Sequence, residues 1–405
     1  FGGVSVAGGE RMRHAASLVK RFSERNDIAT VISALSGVTN QLQEAAWSAS
    51  ETGKTAKVKR FVQGLRERHY DAVGAIKDDE LERGVKETVD VRLGELENGL
   101  LGICHLGEVT DRSLDYIMSF GERLAAPILA GMINSLGERA VPLTGGEAGI
   151  ITDEKFGNAS PLPNFERKIS KRLLPLLQKG IIPVVTGYIG EAKSGRITTL
   201  GRGGSDYTAT ILGAGINADE VWLWKETDGI MSTDPKIIPE ARTLDTISYT
   251  EAMELSYFGA QVLHPRALEP AMKRNIPVRV KNVFRPGGKG TVIQKEAGKD
   301  GAVKAITLIK NVALVNISGT EMVGTPGSAG RIFSALGRSG VNIIMISQGS
   351  SERTISMIID GAHLKRALDA LEMEFTKTLV REVTWDDKVC AIAVVGAGMR
   401  GAPGV

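Results

Sequence analysis

The residues best suited to chemistry lie in one glycine-rich run, Thr198-Thr199-Leu200-Gly201-Arg202-Gly203-Gly204-Ser205-Asp206. Its three glycines let the backbone approach a bound molecule closely, because they carry no Cβ. Arg202 offers a planar guanidinium suited to a carboxylate or a phosphate. Ser205 or Asp206 can cap a helix from Ala209 onward, whose free N–H groups favour an anion. A capped surface turn is the alternative, but the flanking Arg202 and Asp206 favour an anion-binding site.

Three shorter segments carry similar chemistry with less specificity. Gly2, Gly3 and Ser5 precede a helix, as in a phosphate-binding loop or an ordinary turn. The run Ser33–Asn40 follows a strand and supplies three hydroxyls, which bind a substrate or cap the next helix. Phe120–Arg123 holds a carboxylate beside a cation in apolar surroundings, where a structural ion pair is the alternative.

A further loop follows the apolar strand Val221–Trp224. It covers Thr227–Pro235, and its Asp-Gly and Asp-Pro pairs are also typical of simple turns. Lys225, at the end of the strand, is a candidate phosphate contact. His264 precedes a proline in a tight apolar segment, where a structural role is favoured over a catalytic one.

Together these segments predict phosphoryl transfer to a carboxylate. The chain holds no GxxxxGK[ST] loop, which excludes a P-loop enzyme, and no HRD or DFG set, which excludes a protein kinase. A carboxylate acceptor is already ionised at neutral pH, so the reaction requires no general base. Catalysis then depends on positioning the reactants and neutralising charge on the transferring phosphoryl group.

The composition excludes several other classes of protein. The chain has 405 residues, enough for two or three domains of about 150 residues each. Its net charge of +3 is not clustered, which argues against a nucleic-acid or membrane-surface partner. It shows no signal peptide and no apolar run of about 18 residues that could span a membrane. Cys104 and Cys390 lie far apart, which favours a reducing cytoplasm over a disulfide framework and shows no metal-ligand spacing.

The elements that position these residues are predicted from hydrophobic spacing. Strands over residues 28–32 and 181–185 alternate with amphipathic helices, which predicts a layered α/β domain. A helix across residues 10–25 has one apolar face, made of Met12, Ala15, Val19 and Phe22. Residues 53–100 are rich in charge and predict a helical subregion. Prolines and glycines clustered around residues 285–303 mark a domain boundary.

A second pattern follows that boundary. The order βαββα, with a final strand to follow, predicts a small ferredoxin-like βαββαβ domain. Its predicted strands are Val312–Ile317, Val341–Ser347 and Thr354–Ile359, and its predicted helices are Ser328–Leu336 and Ala362–Phe375.

The chain then repeats itself at an offset of 77 residues, the separation of Val312 and Val389. The matching pairs are Val312 and Val389, Gly319 and Gly396, Met322 and Met399, Gly324 and Gly401, Pro326 and Pro403, and Gly327 and Gly404. A duplicated small domain explains them. The second copy stops after its first strand and loop, so we expect the chain to be a fragment of a longer protein.

These motifs resemble those of the aspartokinase family. Phe1–Val6 is similar to the opening Phe-Gly-Gly-Thr-Ser-Val of the family, and further matches follow in order along the chain: Ser33–Asn40, Phe120–Arg123, Gly145–Gly149, Thr198–Asp206 and Tyr257–Pro265. The resemblance implies a three-layer amino-acid kinase fold, with a mainly parallel sheet between helices, followed by two ACT domains. It implies ATP and Mg²⁺ as co-substrates.

The resemblance also implies domain bounds and a partner. We expect a catalytic domain over 1–285, a linker over 286–302, a first ACT domain over 303–385 and the start of a second over 386–405. In the family the first ACT domain is inserted into the second, so Val303–Leu308 is a candidate strand of the second copy. ACT domains pair between subunits, which implies at least a homodimer.

Site residues follow from the resemblance position by position. Catalytic roles fall to Gly2, Gly3, Ser5 and Asp206. The aspartate site would use Ser33, Thr39, Glu122, Tyr188, Arg202, Ser205 and Asp206, with Arg202 suited to the α-carboxylate and Glu122 or Asp206 to the ammonium. The nucleotide site would use Lys225, Glu226, Gly229, Met231, Lys236 and Gln261. The effector loop would use Met322, Gly324, Thr325, Gly327 and Ala329, facing Asn342, Ile343 and Gln348. No metal ligand is assigned.

Four departures from the family pattern stand out. The phosphate-binding Lys that precedes the first Phe is absent from the sequence, and Val4 replaces a Thr. Lys225-Glu226 replaces the commoner Thr-Asp, with Met231 at a frequent Tyr position. Gln261 stands where some members have Lys. The missing Lys predicts that this chain by itself is a poor catalyst, because a lost charge at the phosphoryl group costs a few kcal/mol.

Three functions remain open at this point. The first is an aspartate kinase controlled by lysine or threonine, and the second is another kinase of the same fold, such as a glutamate kinase. The third is a catalytically weak, amino-acid-binding regulatory subunit, which Val4 and the missing Lys favour slightly. Retention of Glu122, Arg202 and Asp206 favours the first. Whether a homoserine dehydrogenase domain follows also remains open.

Overall fold

A computed structural model describes residues 1–258, 263–298, 303–319, 322, 324–349, 353–375 and 382–399. The chain divides into two compact units. The first consists of Phe1–Ser256 with Gln261–Asp300, and the second of Tyr257–Ala260 with Gly301–Val405.

The chain as far as residue 294 folds into alternating helices and short strands. The helices are α1 (Gly9–Ser23), α2 (Val38–Thr52), α3 (Thr55–Val73), α4 (Asp79–Leu106), α5 (Asp111–Met118), α6 (Phe120–Ser135), α7 (Phe165–Leu177), α8 (Gly204–Ile216), α9 (Tyr249–Tyr257) and α10 (Glu269–Arg274). The strands are β1 (Thr30–Ile32), β2 (Ala140–Leu143), β3 (Ile151–Thr152), β4 (Ile182–Thr186), β5 (Ile189–Ala192), β6 (Ile197–Thr199), β7 (Val221–Lys225), β8 (Thr246–Ser248), β9 (Val278–Asn282) and β10 (Thr291–Gln294).

Parallel strand pairs position the site. Strand β4 lies between β1 and β2 and is parallel to both, and every one of its residues is buried. Strand β7 is parallel to β9 in a second sheet, of order β7-β9-β10-β8, and a third sheet has the order β3-β5-β6. Because the carboxyl ends of parallel strands share one edge, the segments after β1, β2 and β4 meet there.

The predicted elements of this unit are confirmed. Strands over 28–32 and 181–185 correspond to β1 and β4, and the charged region over 53–100 is helical in α3 and α4. On α1, Met12, Ala15 and Val19 are buried as the spacing predicts. Phe22 is only partly buried and packs edge-on against Trp222, with ring centroids 4.8 Å apart. No helix in the described part of the chain is long and apolar enough to cross a membrane.

The predicted linker over 286–302 has to be revised. Strand β10 lies inside it and pairs antiparallel with β9 and parallel with β8. The glycines before β10 lie in the loop over residues 283–290 that joins β9 to β10, where Gly290 takes a φ of +68° and leaves no room for a Cβ beside Val280. The prolines and glycines of a hairpin loop therefore give the same sequence pattern as a linker between two domains.

The second unit is a ferredoxin-like domain, as predicted. It comprises β11 (Ala305–Ser318), α11 (Ser328–Arg338), β12 (Ile343–Gln348), β13 (Thr354–Asp360), α12 (Leu364–Phe375) and β14 (Glu382–Val395). All neighbouring strands are antiparallel, in the order β12-β13-β11-β14. One face of the sheet is buried beneath the helices, with a core that includes Val315, Ile317, Ile332, Ile355 and Leu371.

Two long strands of this unit, β11 and β14, contain the first pair of residues of the internal repeat, Val312 and Val389. Strands β11 and β14 pair along their length, and Val312 lies directly opposite its predicted repeat partner Val389. The register shifts there, so that residues 305–309 pair with 391–395 while 312–318 pair with 382–389. The assignment of residues 303–308 to a second copy stays a prediction. Residues 400–405, with the last repeat pairs, lie outside the described residues.

The Gly145 turn after β2 provides a test of the packing at the site edge. A Cβ built on Gly145 would overlap the carbonyl oxygen of Ile189, so the backbone must move to accept one. We expect Gly145→Ala to lower the free energy of unfolding by about 2–4 kcal/mol, measured by urea denaturation. The control is Gly84→Ala in the second turn of α4, where nothing lies within 4 Å of an added Cβ. It should raise stability by about 0.5–1 kcal/mol, and equal effects of the two changes would contradict the packing described here.

Candidate active site

A cleft opens at the carboxyl edge of β1, β4 and β7 in the first unit, with a volume of about 1490 Å³. It continues as a groove between β1 and β7, so a substrate would occupy only part of it. The structure brings most of the predicted catalytic, aspartate-site and nucleotide-site residues together in this cleft: Gly2, Gly3, Ser33, Thr39, Glu122, Tyr188, Arg202, Ser205, Asp206, Lys225 and Glu226.

The glycine-rich run forms the junction between β6 and α8. Helix α8 begins at Gly204 rather than at Ala209, and Gly203, with a φ of +71°, is its N-cap without any side-chain cap. The prediction that Ser205 or Asp206 caps the helix is therefore wrong. The left-handed Gly203 turns the chain into the helix itself, which leaves both side chains in the first turn, where they face the cleft.

Close packing holds this junction in place. A Cβ on Gly204 would lie 2.6 Å from the ring of Tyr188, and one on Gly203 would lie 2.5 Å from the Cβ of His264. Buried Nδ1 of His264 has no hydrogen-bond partner among the described residues. Its pKa is lowered by burial and by the nearby cations Arg202 and Arg266. This packing supports the structural role predicted for His264.

Asp206 and Lys225 form an ion pair inside the cleft. The Lys225 ammonium donates to both carboxylate oxygens of Asp206, at 2.9 and 2.7 Å. Asp206 comes from the first turn of α8, whose dipole favours an anion there, and Lys225 comes from the end of β7. Because this carboxylate already has a cation, Glu122 is the better candidate for a substrate ammonium.

Glu122 is a buried carboxyl in the first turn of α6. Its side chain is 2% exposed, and Oε2 has no hydrogen-bond partner in the described chain. Burial raises the pKa of Glu122 to about 8, against the opposing effect of hydrogen bonds with the backbone of Ala34 and of Glu122 itself. The neighbouring Arg123 pairs with Glu95 of α4 and lies over the ring of Phe120. The structural ion pair considered for this segment therefore belongs to Arg123, and Glu122 is left for the cleft.

Tyr188 lies in the two-residue connection between β4 and β5, in a strained conformation. Its φ is +67°, which is uncommon for a residue with a side chain and is often found at functional sites. Its N–H donates to the hydroxyl of Thr208 on α8 at 3.0 Å, which holds the turn. Burial raises the pKa of the phenol to about 12, so it keeps its proton at neutral pH.

The hydroxyl groups after β1 do not cap the following helix. Gly37, with a φ of +81°, is the N-cap of α2 and has no side-chain cap, so Ser33 and Thr39 remain available to the cleft. Ser33 is held by Phe1, whose carbonyl accepts from the Ser33 N–H at 3.0 Å. Ser5 is buried, and its hydroxyl turns back on Gly2, accepting from the Gly2 N–H and donating to the Gly2 carbonyl. Its predicted catalytic role would then be to shape the loop.

The remaining nucleotide candidates lie on the loop after β7. Gly229 packs against Thr291, the thioether of Met231 accepts from Thr243, and the N–H of Lys236 donates to Asp234 in a turn. These three are not among the described residues that line the cleft. Gln261 lies outside the described residues. Their nucleotide roles stay predictions.

The effector candidates belong to the second unit. Met322 is buried in its core, and Gly327, with a φ of +89°, is the N-cap of α11. Asn342 and Gln348 are exposed at the two ends of β12. Gly324, Thr325, Ala329 and Ile343 lie in the same loop, helix and strand, and the whole effector assignment stays a prediction.

Some residues of the cleft were not predicted. Asn40 and Gln43 line it from α2, and Gly157 lines it from the loop after β3. The α2 pair could have been found, because Gln43 lies four residues beyond Thr39 on the same helical face. Gly157 had no local signal, since only the fold brings its loop to the cleft.

Comparison with known proteins identifies the family to which this chain belongs. Residues 1–282 match the model of the amino acid kinase family, and residues 315–375 match an ACT domain. The chain therefore belongs to the amino acid kinase family, and the predicted fold, a kinase domain followed by a ferredoxin-like ACT domain, is confirmed.

Individual relatives narrow the comparison. Chloroplastic aspartokinase 1 of Arabidopsis thaliana is 36% identical over 368 residues, which cover 90% of this chain and 63% of that protein. Chloroplastic aspartokinase 3 of the same plant is 38% identical, over 89% of this chain and 64% of that protein. The chain thus spans about two thirds of the length of these relatives. The crystal structure of E. coli aspartokinase III with aspartate and ADP has a TM-score of 0.81 and 26% identity, covering 100% of this chain and 88% of that one.

The raised pKa of Glu122 predicts a pH-dependent loss of stability. Between its ordinary value of 4.5 and about 8, the folded chain holds one proton more than the unfolded chain. The free energy of unfolding therefore falls as pH rises through this range, by at most about 1.4 kcal/mol per pH unit. Glu122→Gln removes this titration. We expect the variant to exceed the wild type in urea denaturation at about pH 7.5, with an advantage that shrinks towards pH 4.5.

Glu24 is exposed, so Glu24→Gln is the control for loss of a carboxylate. A stability difference between Glu122→Gln and the wild type that stays constant across this pH range would show that Glu122 is not buried in its neutral form.

Proposed function

We propose that this chain is the kinase and regulatory part of an aspartate kinase. It would transfer the terminal phosphoryl group of ATP to the side-chain carboxylate of L-aspartate and give 4-phospho-L-aspartate. This reaction begins the lysine, threonine and methionine branch of amino-acid biosynthesis. The proposal is supported by the names of the relatives and by the aspartate and ADP bound in the E. coli neighbour.

The observation that carries the proposal is the arrangement of charge in the cleft. Arg202 supplies a fork for one carboxylate, and the buried Glu122 supplies an acceptor for an ammonium. A dicarboxylic amino acid held by these two groups has one carboxylate left. That carboxylate would face the Lys225–Asp206 pair, where a nucleotide phosphate would find a cation.

The transfer needs no proton acceptor, because the attacking carboxylate is ionised at neutral pH. The contribution of the chain is to align the carboxylate with the phosphate and to neutralise the charge that develops. Lys225 supplies one positive charge for this purpose. It stands where the family pattern more commonly has an uncharged Thr, and in this chain it pairs with Asp206.

Magnesium would enter with the nucleotide. No group of three or more His, Cys, Asp or Glu side chains that could hold a metal is found in the described part of the chain. Mg²⁺ usually keeps several waters and is held by substrate phosphates with one or two carboxylates. Glu226, at the cleft beside Lys225, is the candidate carboxylate.

Regulation is proposed to act through the second unit. An ACT domain and a neighbour structure of E. coli aspartokinase III with lysine and aspartate support feedback by an amino acid, lysine or threonine. A homodimer or larger homo-oligomer through ACT domains remains part of the proposal.

Cys104 and Cys390 are free thiols, in keeping with the reducing cytoplasm predicted from the sequence.

The function is tested by measuring ADP release in the complete protein with ATP and Mg²⁺, adding aspartate, glutamate or no acceptor. We expect release that depends on aspartate. Release with glutamate alone would identify a glutamate kinase, and no release with retained lysine or threonine binding would identify the regulatory subunit.

Arg202 is the residue on which turnover of aspartate should depend most directly. We expect Arg202→Ala to lower kcat/KM for aspartate by about 10- to 100-fold, because a charge-assisted bidentate contact is worth about 1.5–3 kcal/mol. Arg196→Ala is the matched control: this arginine precedes β6 and is exposed, outside the cleft. It should retain wild-type kinetics. Equal losses in both variants would contradict the assignment.

Aspartate affinity should depend on pH through Glu122. An ammonium binds the ionised carboxylate, and the pKa of about 8 leaves Glu122 mostly protonated at pH 7. Affinity should therefore rise by up to about tenfold per pH unit below pH 8, with proton release on binding, and level off above it. Calorimetry in buffers of different ionisation enthalpy measures both. In Glu122→Gln the affinity should be low and independent of pH over the same range, and a wild type that behaves in this way would contradict the role of Glu122.

A further inference from the structure

Asp115 is a buried carboxylate outside the cleft. It lies on α5 and is 1% exposed. The N–H of Gly157 donates to both of its oxygens, at 2.9 and 3.0 Å. The N–H of Thr199 donates to Oδ2 at 2.8 Å, and the Thr199 hydroxyl donates to Oδ1 at 2.7 Å. One side chain thus accepts from two segments that are far apart in sequence.

Both segments lead into the cleft. Gly157 itself lines it, and Thr199 is the last residue of β6, three positions before Arg202. The carbonyl of Thr199 accepts from Ala159 at 2.9 Å, and the next N–H, of Leu200, donates to the carbonyl of Tyr188 at 2.8 Å. Asp115 therefore holds the junction where the Gly157 loop, the start of the glycine-rich run and Tyr188 meet.

Asp115 acts as the acceptor in all of these contacts. Its donors are the N–H groups of Gly157 and Thr199 and the Thr199 hydroxyl. Tyr188 lies at the same junction, where its carbonyl accepts from Leu200, and it also lines the cleft.

We propose that Asp115 is a positioning residue of the substrate subsite. It holds the backbone that carries Arg202, and through Thr199 and Leu200 it holds the turn that places Tyr188 at the cleft where the amino acid would bind. This inference rests on the proposed function for its substrate, whereas the part concerning the junction stands on the geometry alone.

The surrounding contacts allow the idea to be tested without unfolding the loop. Arg266 holds the opposite side of the Gly157 loop, where its guanidinium donates to the Ala159 carbonyl at 2.7 Å and to the Ser160 hydroxyl at 2.8 Å. Asp115→Asn keeps the shape of the side chain but turns one acceptor into a donor that faces N–H groups. We expect the junction to loosen while the fold persists.

The kinetic test uses Asp115→Asn in the complete protein. We expect KM for aspartate to rise by about tenfold or more, the loss of one or two buried hydrogen bonds, with KM for ATP changed less than about twofold. Asp111→Asn, on the exposed side of the same helix, should leave both values unchanged. Thr199→Ser, which keeps the hydroxyl, should behave as wild type, and Thr199→Val should resemble Asp115→Asn.

Coupling to Tyr188 separates positioning from a merely structural role. Tyr188→Phe should raise KM for aspartate in the wild-type background and have little further effect in Asp115→Asn. An equal effect of Tyr188→Phe in both backgrounds, or equal rises of KM for aspartate and ATP in Asp115→Asn, would overturn the proposal.

Amide hydrogen exchange tests the role of Asp115 at the junction separately from the proposed function. Exchange over residues 155–160 and 196–204 should quicken in Asp115→Asn and not in Asp111→Asn. If the wild type turns over no aspartate, the proposed function fails, and unchanged exchange in Asp115→Asn would then also overturn the role of Asp115 at the junction. Quicker exchange confined to these residues would support that role independently of the substrate.

Discussion

The site depends on how closely the Gly201–Ser205 backbone lies against its surroundings. No Cβ fits at Gly203 beside His264 or at Gly204 beside the Tyr188 ring, and a Cβ on Gly187 would lie 2.6 Å from the Ser205 hydroxyl. Since protein interiors are close-packed, the loop has little freedom to move. Arg202 and Asp206 are consequently carried to the cleft by a rigid junction between a strand and a helix.

The two carboxyl groups of the cleft, Asp206 and Glu122, are held in different ways. Lys225 neutralises Asp206 at 2.7 Å, so this pair has no need of a substrate to be stable. Glu122 has no such partner among the described residues, and burial keeps it protonated near neutral pH. A substrate ammonium would supply the missing charge. Burial of Glu122 lowers the free energy of unfolding of the free protein, and an ion pair with the ammonium of the bound amino acid would offset that cost.

Local signals explain which features could be predicted. The glycine-rich run, the α1 face and the repeat with Val312 opposite Val389 all follow from residue types at fixed spacing. The start of α8 could not be predicted, because the left-handed Gly203 replaces the expected side-chain cap. Strand β10 was hidden by its turn glycines. Asp115 was missed because its partners are 42 and 84 residues away, and only the fold brings them to it.

The most direct test of the central claim is to identify which carboxylate becomes phosphorylated. The complete protein would be incubated with ATP, Mg²⁺ and L-aspartate labelled with ¹³C at the side-chain carboxyl, and the acyl phosphate trapped with hydroxylamine. If the cleft holds the amino acid by its α-carboxylate and ammonium, the hydroxamate carbon should carry the label. Hydroxamate at the unlabelled α-carboxyl, or none above a control without ATP, would contradict this account.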